Sequence, residues 1–273
     1  MNKKLFLNSF HLKLLAIIFM TIDHLGYHIF SNLNGFETIT TICRTIGRLA
    51  LPLFAFMIVE GIFHTRNTFK YLLRLFISAV LISGFLMVAK MSYAENIFID
   101  LFLGATLVAL LNLPKLKKLY SLIPLTIITL LLIFYQDIPN ALCISYHFYG
   151  ISLILGIYLA TLLGNAYHKY LSSIAGMEEK DFEEILSKRK INNLSVLIFL
   201  VIFNLLCWII NSLVGGISSL VGTIEIQTFS IFAGLIILLY NGKRGYNALW
   251  WKYGCYLYYP IHVAIIYMIY LLL

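Results

Sequence analysis

KLLAIIFMTIDHLGYHIF (13–30) is the stretch that decides the fold. A transmembrane helix needs ~20 mainly apolar residues, and this run supplies them, yet it carries Asp23, His24 and His28 in its second half. Ionisable groups within a span are costly and mark a polar pathway or a reaction site. The rest of the chain repeats the apolar pattern. Of 273 residues 61% are hydrophobic and 12% charged, with a mean hydropathy of +0.90; a soluble domain holds about 25% charged residues. A water-soluble core of this size would leave large apolar patches exposed, which excludes a single soluble enzyme and a secreted disulfide scaffold.

The expected fold class is all-α, a polytopic helical bundle of about nine transmembrane helices. Candidate spans are 11–30, 43–64, 69–89, 97–113, 119–135, 143–164, 194–213, 226–241 and 252–272. A membrane β-barrel would show ~10-residue alternating segments, which these unbroken runs do not. The first run lacks a small-residue cleavage site and reads as a retained helix.

The net charge of +8 is a matter of topology. Fifteen Lys and Arg fall in alternate connections (Lys3 and Lys4; Arg66 and Lys70; 115–118; 169–190; Lys243, Arg244 and Lys252), against Lys90 alone in the others. Cytoplasmic loops carry the positive excess, so the N-terminus is expected inside and, with nine spans, the C-terminus outside. No nucleic-acid partner is needed; the lipid bilayer is the partner. Cys43, Cys143, Cys207 and Cys255 lack metal-ligand spacing and read as small buried hydrophobes, so no metal is expected.

No linker, low-complexity tract or repeat interrupts the chain, and residues 1–273 read as one transmembrane domain with a polar cytoplasmic insert at 165–193. Within the insert, Glu178, Glu179, Asp181, Glu183 and Glu184 precede Lys188, Arg189 and Lys190, the pattern of a short amphipathic helix. VGGISSLVGTIEIQ (214–227) fits an outer loop or a re-entrant segment.

Four basic residues lie in spans or at their ends. Lys13 and Arg74 can snorkel. Arg44 and Arg48 share one face of the second span by their i, i+4 spacing, and antiparallel pairing places them at the depth of Asp23 and His24. Asp23 can then neutralise Arg48 or Arg44, and both charges tune His24. The arrangement fits structural ion-pair glue or a general base in a wet cavity. Further polar groups accompany it: Glu60 and His64 at the cytoplasmic end of the second span, Asp100 and His147 toward outer ends, and Tyr258 and His262 around Pro260. On the cytoplasmic side, NGKRG (241–245), Arg66, Lys70 and Arg74 could hold an anionic nucleotide or anchor acidic lipid headgroups.

The runs 13–30, GRLALPLFAFMIVEGIFHTRN (47–67), YLLRLFISAVLISG (71–84), YNGKRG (240–245) and KYGCYLYYPIHVAIIYMI (252–269) resemble the TraX family, named after the F-pilin N-terminal acetylase of conjugation systems. The resemblance implies a multi-spanning acyltransferase of a bacterial inner membrane that uses cytoplasmic acetyl-CoA as acyl donor. His24 would be the catalytic base, oriented or tuned by Asp23; Arg44, Arg48, His28, Tyr258 and His262 would line the cavity. Glu60, His64, Arg66, Arg74, Lys243 and Arg244 would lie along the route of the CoA nucleotide, whose pantetheine arm can reach toward the middle of a ~30 Å hydrocarbon core. The acceptor would be an amine or hydroxyl, on a peptide N-terminus such as pilin or on a surface glycan. Two other classes stay open: a proton-coupled transporter using Asp23, His24 and Arg48 as a relay, and a non-catalytic component of a secretion or conjugation assembly.

Overall fold

Asn8 starts the first helix, α1 (Ser9–His28), by a reciprocal cap: its Oδ1 accepts the His11 amide, and His11 Nδ1 accepts the Asn8 amide. The same end is held a second time by the 239–245 turn. The Leu7 amide donates to the Leu239 carbonyl and the Asn241 amide to the Leu7 carbonyl, while the Ser9 and Phe10 amides donate to the carbonyls of Lys243 and Arg244. Gly245 makes this possible, because it sits at φ +68° and a Cβ there would run into the Asn8 side chain. The basic turn is thus also a cap for α1.

These features belong to a computed structural model that describes residues 5–88, 96–113, 146–214 and 224–272. The remaining helices are α2 (Glu37–Gly47), α3 (Ala50–His64), α4 (Thr68–Val88), α5 (Ile97–Leu111), α6 (His147–Ile174), α7 (Glu179–Ile185), α8 (Lys188–Val214), α9 (Ile224–Gln227), α10 (Phe232–Ile237) and α11 (Leu249–Leu272). Among the described residues the β content is a single bridge between Leu7 and Tyr240. Six segments are long and apolar enough to cross a membrane: 9–32, 37–64, 68–88, 149–174, 188–213 and 249–272. Ile97–Leu111 and Thr228–Ile237 are shorter apolar helices at two more of the expected spans. The expected span 119–135, Lys90, Lys115, Lys117, Lys118, Cys143 and most of 214–227 lie outside the described residues.

The second expected span is two helices, α2 and α3, with Arg48 and Leu49 in a turn between them. Pro52 supplies the reason. It has no N–H to give the carbonyl four residues back, which is that of Arg48.

The described residues divide into two units, one of 5–57, 156–214 and 224–272, the other of 58–88, 96–113 and 146–155. In the first, α1 packs on α2 and α11, and α8 on α10. Most of the polar insert continues the flanking helices α6 and α8; between them α7 buries Phe182 against the His168 ring (5.3 Å) and leaves its acidic side chains exposed, as an amphipathic helix does. In the second unit α4 packs on α5. Asn96 ties them, accepting the Phe98 amide while its Nδ2 donates to the Ala79 carbonyl and Ser83 Oγ, both at 2.8 Å. Leu103, Leu107 and Ile151 form an apolar core there.

Candidate functional site

Asp23 faces α2 because Gly47 has no side chain: a Cβ at that position would occupy the space of the Asp23 carboxylate. The two helices therefore approach closely enough for direct ion pairing. Arg48 Nη2 donates to both Asp23 oxygens at 2.6 and 2.7 Å, and Arg44 Nη1 donates to Oδ2 at 2.9 Å. The Asp23 and Arg48 side chains are each 9% exposed and that of Arg44 is 24% exposed. Charges this deep persist only when paired. Arg44 also lies over the Tyr27 ring, 4.8 Å from its centroid. Arg48 also donates from Nε to the Arg44 carbonyl (3.2 Å) and from Nη1 to Gln227 Oε1 (3.3 Å).

The neighbouring residue takes different partners. His24 Nδ1 lies 2.8 Å from His262 Nε2, and His262 Nδ1 lies 2.9 Å from the Tyr258 carbonyl oxygen. A carbonyl only accepts, so His262 Nδ1 carries the proton that it donates. With both rings neutral, His262 Nε2 is then an acceptor, and His24 Nδ1 must donate to it. The chain of bonds leaves the lone pair of His24 on Nε2. No hydrogen bond among the described residues joins Asp23 to His24; the side chain that His24 bonds is His262, while Asp23 bonds Arg44 and Arg48. His28 sits edge-on to His24 at 5.9 Å. Tyr258 is fixed nearby, because Thr21 gives its proton to the Ile17 carbonyl (2.8 Å) and accepts the Tyr258 hydroxyl (2.7 Å).

Asp23, His24, His28, Arg44, Arg48, Tyr258 and His262 thus come together within the first unit, although the sequence separates His24 from His262 by 238 positions. Lys243 and Arg244 belong to the same unit, with exposed side chains on the turn that caps α1. Glu60, His64, Arg66 and Arg74 belong to the second unit. There the buried Glu60 gives its carbonyl to His64 Nδ1 (2.8 Å), and Arg74 lies over the Tyr71 ring (5.7 Å). Asp100 accepts the Tyr146 amide at 3.2 Å, a structural link near the start of α6. Sequence reasoning missed Gln227 and Thr21. Gln227 carries a weak signal, a lone carboxamide between apolar residues at the end of 214–227. Thr21 looks like any small residue in a membrane helix.

A helical membrane protein with a carboxylate clamped by two guanidinium groups, beside a histidine pair that leaves one imidazole nitrogen available, defines the class. A family model described as TraX protein matches residues 9–179. The chain belongs to the TraX family. That match runs through the middle of the chain, where motifs are hard to discern by eye, and ends before the Tyr258–His262 segment. A probable fimbrial assembly protein, FimC of serogroup H1 from Dichelobacter nodosus, is 40% identical over 86 residues, 31% of this chain and 34% of that protein. An uncharacterized protein of Rickettsia prowazekii (strain Madrid E) is 34% identical over 94 residues, 34% of this chain and 33% of that protein. The chain spans about a third of the length of the curated relatives it matches. No solved structure matches it.

Proposed function

We propose that this membrane protein is an acyltransferase that moves an acetyl group from acetyl-CoA to an amine or hydroxyl acceptor, with His24 Nε2 as the general base. The His24–His262 pair is the observation that carries the reading. A base needs its lone pair facing a substrate and its other nitrogen tied down, and the Tyr258 carbonyl–His262–His24 sequence of bonds meets that need. His262 positions the ring and holds its tautomer. The Asp23–Arg44–Arg48 cluster acts differently: it holds α1 against α2 and sets a positive local field beside His24, where negative charge develops during acyl transfer.

The basic turn favours a cytoplasmic entry for the acyl donor. Lys243 and Arg244 stand at the end of the first unit where α1 begins, the end assigned to the cytoplasm by the distribution of Lys and Arg. Their side chains would meet the CoA phosphates. The acceptor would approach from the other end of α1, on the outer side of a bacterial membrane. The fimbrial assembly relative favours a peptide N-terminus, such as that of a pilin subunit, as the acceptor.

The test is calorimetric titration of acetyl-CoA into the detergent-purified chain, beside Arg244→Glu. Binding that weakens at least tenfold in the variant supports the reading. A folded wild type that binds no acetyl-CoA overturns it. Proton-coupled transport would then have to dispense with Asp23 as a relay, since both of its oxygens are held by arginine.

A further inference from the structure

Gln227 is 3% exposed, at the end of α9. Its Oε1 accepts from Arg48 Nη1, which settles the orientation of the amide, because a guanidinium can only donate. The Nε2 group therefore points away from Arg48. It is buried and meets no acceptor among the described residues. A buried donor without an acceptor is costly and calls for an occupant that the described residues do not provide. Arg48 itself is a poor candidate for that occupant's donor, since its Nη2 is held by both Asp23 oxygens, its Nη1 by Gln227 Oε1 and its Nε–H by the Arg44 carbonyl. Through Arg48, Gln227 is linked to Asp23, the residue next to His24.

We propose that Gln227 Nε2 is the donor to the carbonyl oxygen of the acyl group during transfer. The assignment rests on the acyltransferase reading and deepens it. The acceptor's amine or hydroxyl gives its proton to His24 Nε2 as its lone pair bonds to the thioester carbonyl carbon. The π pair of the carbonyl moves onto oxygen, where Gln227 donates. That pair returns as the carbon–sulfur bond breaks, and the leaving thiolate takes the proton from His24. The preorganised amide stabilises the oxygen when its charge is greatest.

Gln227→Glu is the informative variant, because it keeps an acceptor for Arg48 and removes the N–H donor. Single-turnover transfer from acetyl-CoA labelled with carbon-13 at the carbonyl, to a short peptide with a free N-terminal amine, should slow by about 10²–10³-fold with acetyl-CoA affinity unchanged. The infrared band of the bound carbonyl should lie at lower wavenumber in the wild type than in Gln227→Glu. Should the variant not fold, the wild-type band decides alone: a bound carbonyl absorbing where it does in an apolar solvent overturns the proposal. Transfer by Gln227→Glu at the wild-type rate overturns the Gln227 assignment and leaves the acyltransferase reading standing. A folded wild type that neither binds nor transfers overturns both.

Discussion

Removing one partner of a buried ion pair costs more than the pair contributes, because the other charge is left stranded. Asp23 is the shared partner of two arginines, so Asp23→Ala should destabilise the protein by ~3–5 kcal/mol. Arg44→Ala leaves Asp23 paired with Arg48 and should cost less. Thermal unfolding in detergent checks the order, and equal losses would contradict this account of the cluster. The histidine pair makes a separate demand on function. His262→Phe removes the acceptor for His24 Nδ1–H and lets the ring rotate, and should slow transfer by roughly 10²-fold. His262→Gln offers a side-chain oxygen to the same proton and should recover part of the rate; no difference between the two variants would deny His262 a positioning role. The i, i+4 spacings and the Asp-His doublet made the ion pairs legible in the chain itself. The partner of His24 was not legible, because two histidines and an aspartate all lie within plausible reach of it, and only the three-dimensional arrangement decides which nitrogen meets which acceptor.

At the scale of elements, glycine decides where helices can touch. Gly47→Ala places a methyl group in the space of the Asp23 carboxylate and should lose both stability and transfer. Gly245→Ala meets a positive φ and the Asn8 side chain together, and should free the start of α1. At Gly84 in α4 a methyl group would find nothing within 4 Å, so Gly84→Ala should raise stability by roughly 0.5–1 kcal/mol through helix propensity. Melting temperatures of the three variants check this ranking. Apolar run length made most helices visible, and the acidic-then-basic insert announced α7. The α2–α3 break lies at Arg48 and Leu49, just ahead of Pro52. The cap on α1 was hidden, because it joins residues 7–10 to 239–244 through backbone atoms that any side chains could carry.

At the scale of the molecule, composition alone shows a helical membrane protein. The proposed site gathers a few polar groups from α1, the end of α2, α9 and α11, and only the first two are adjacent in sequence. The proposed orientation rests on loop charge, and it can be tested. In a cysteine-free background, Asn34→Cys should react with an impermeant maleimide added outside intact cells, and Lys243→Cys only after the cells are opened. The reverse pattern would invert the proposed entry of the acyl donor. The most direct measurement concerns His24 itself: single-turnover acetyl transfer from acetyl-CoA to a peptide amine by the purified protein, compared with His24→Ala. The account predicts transfer by the wild type and a loss of about 10²–10⁴-fold in a variant that still binds acetyl-CoA. Transfer at the wild-type rate by a folded His24→Ala protein would contradict it.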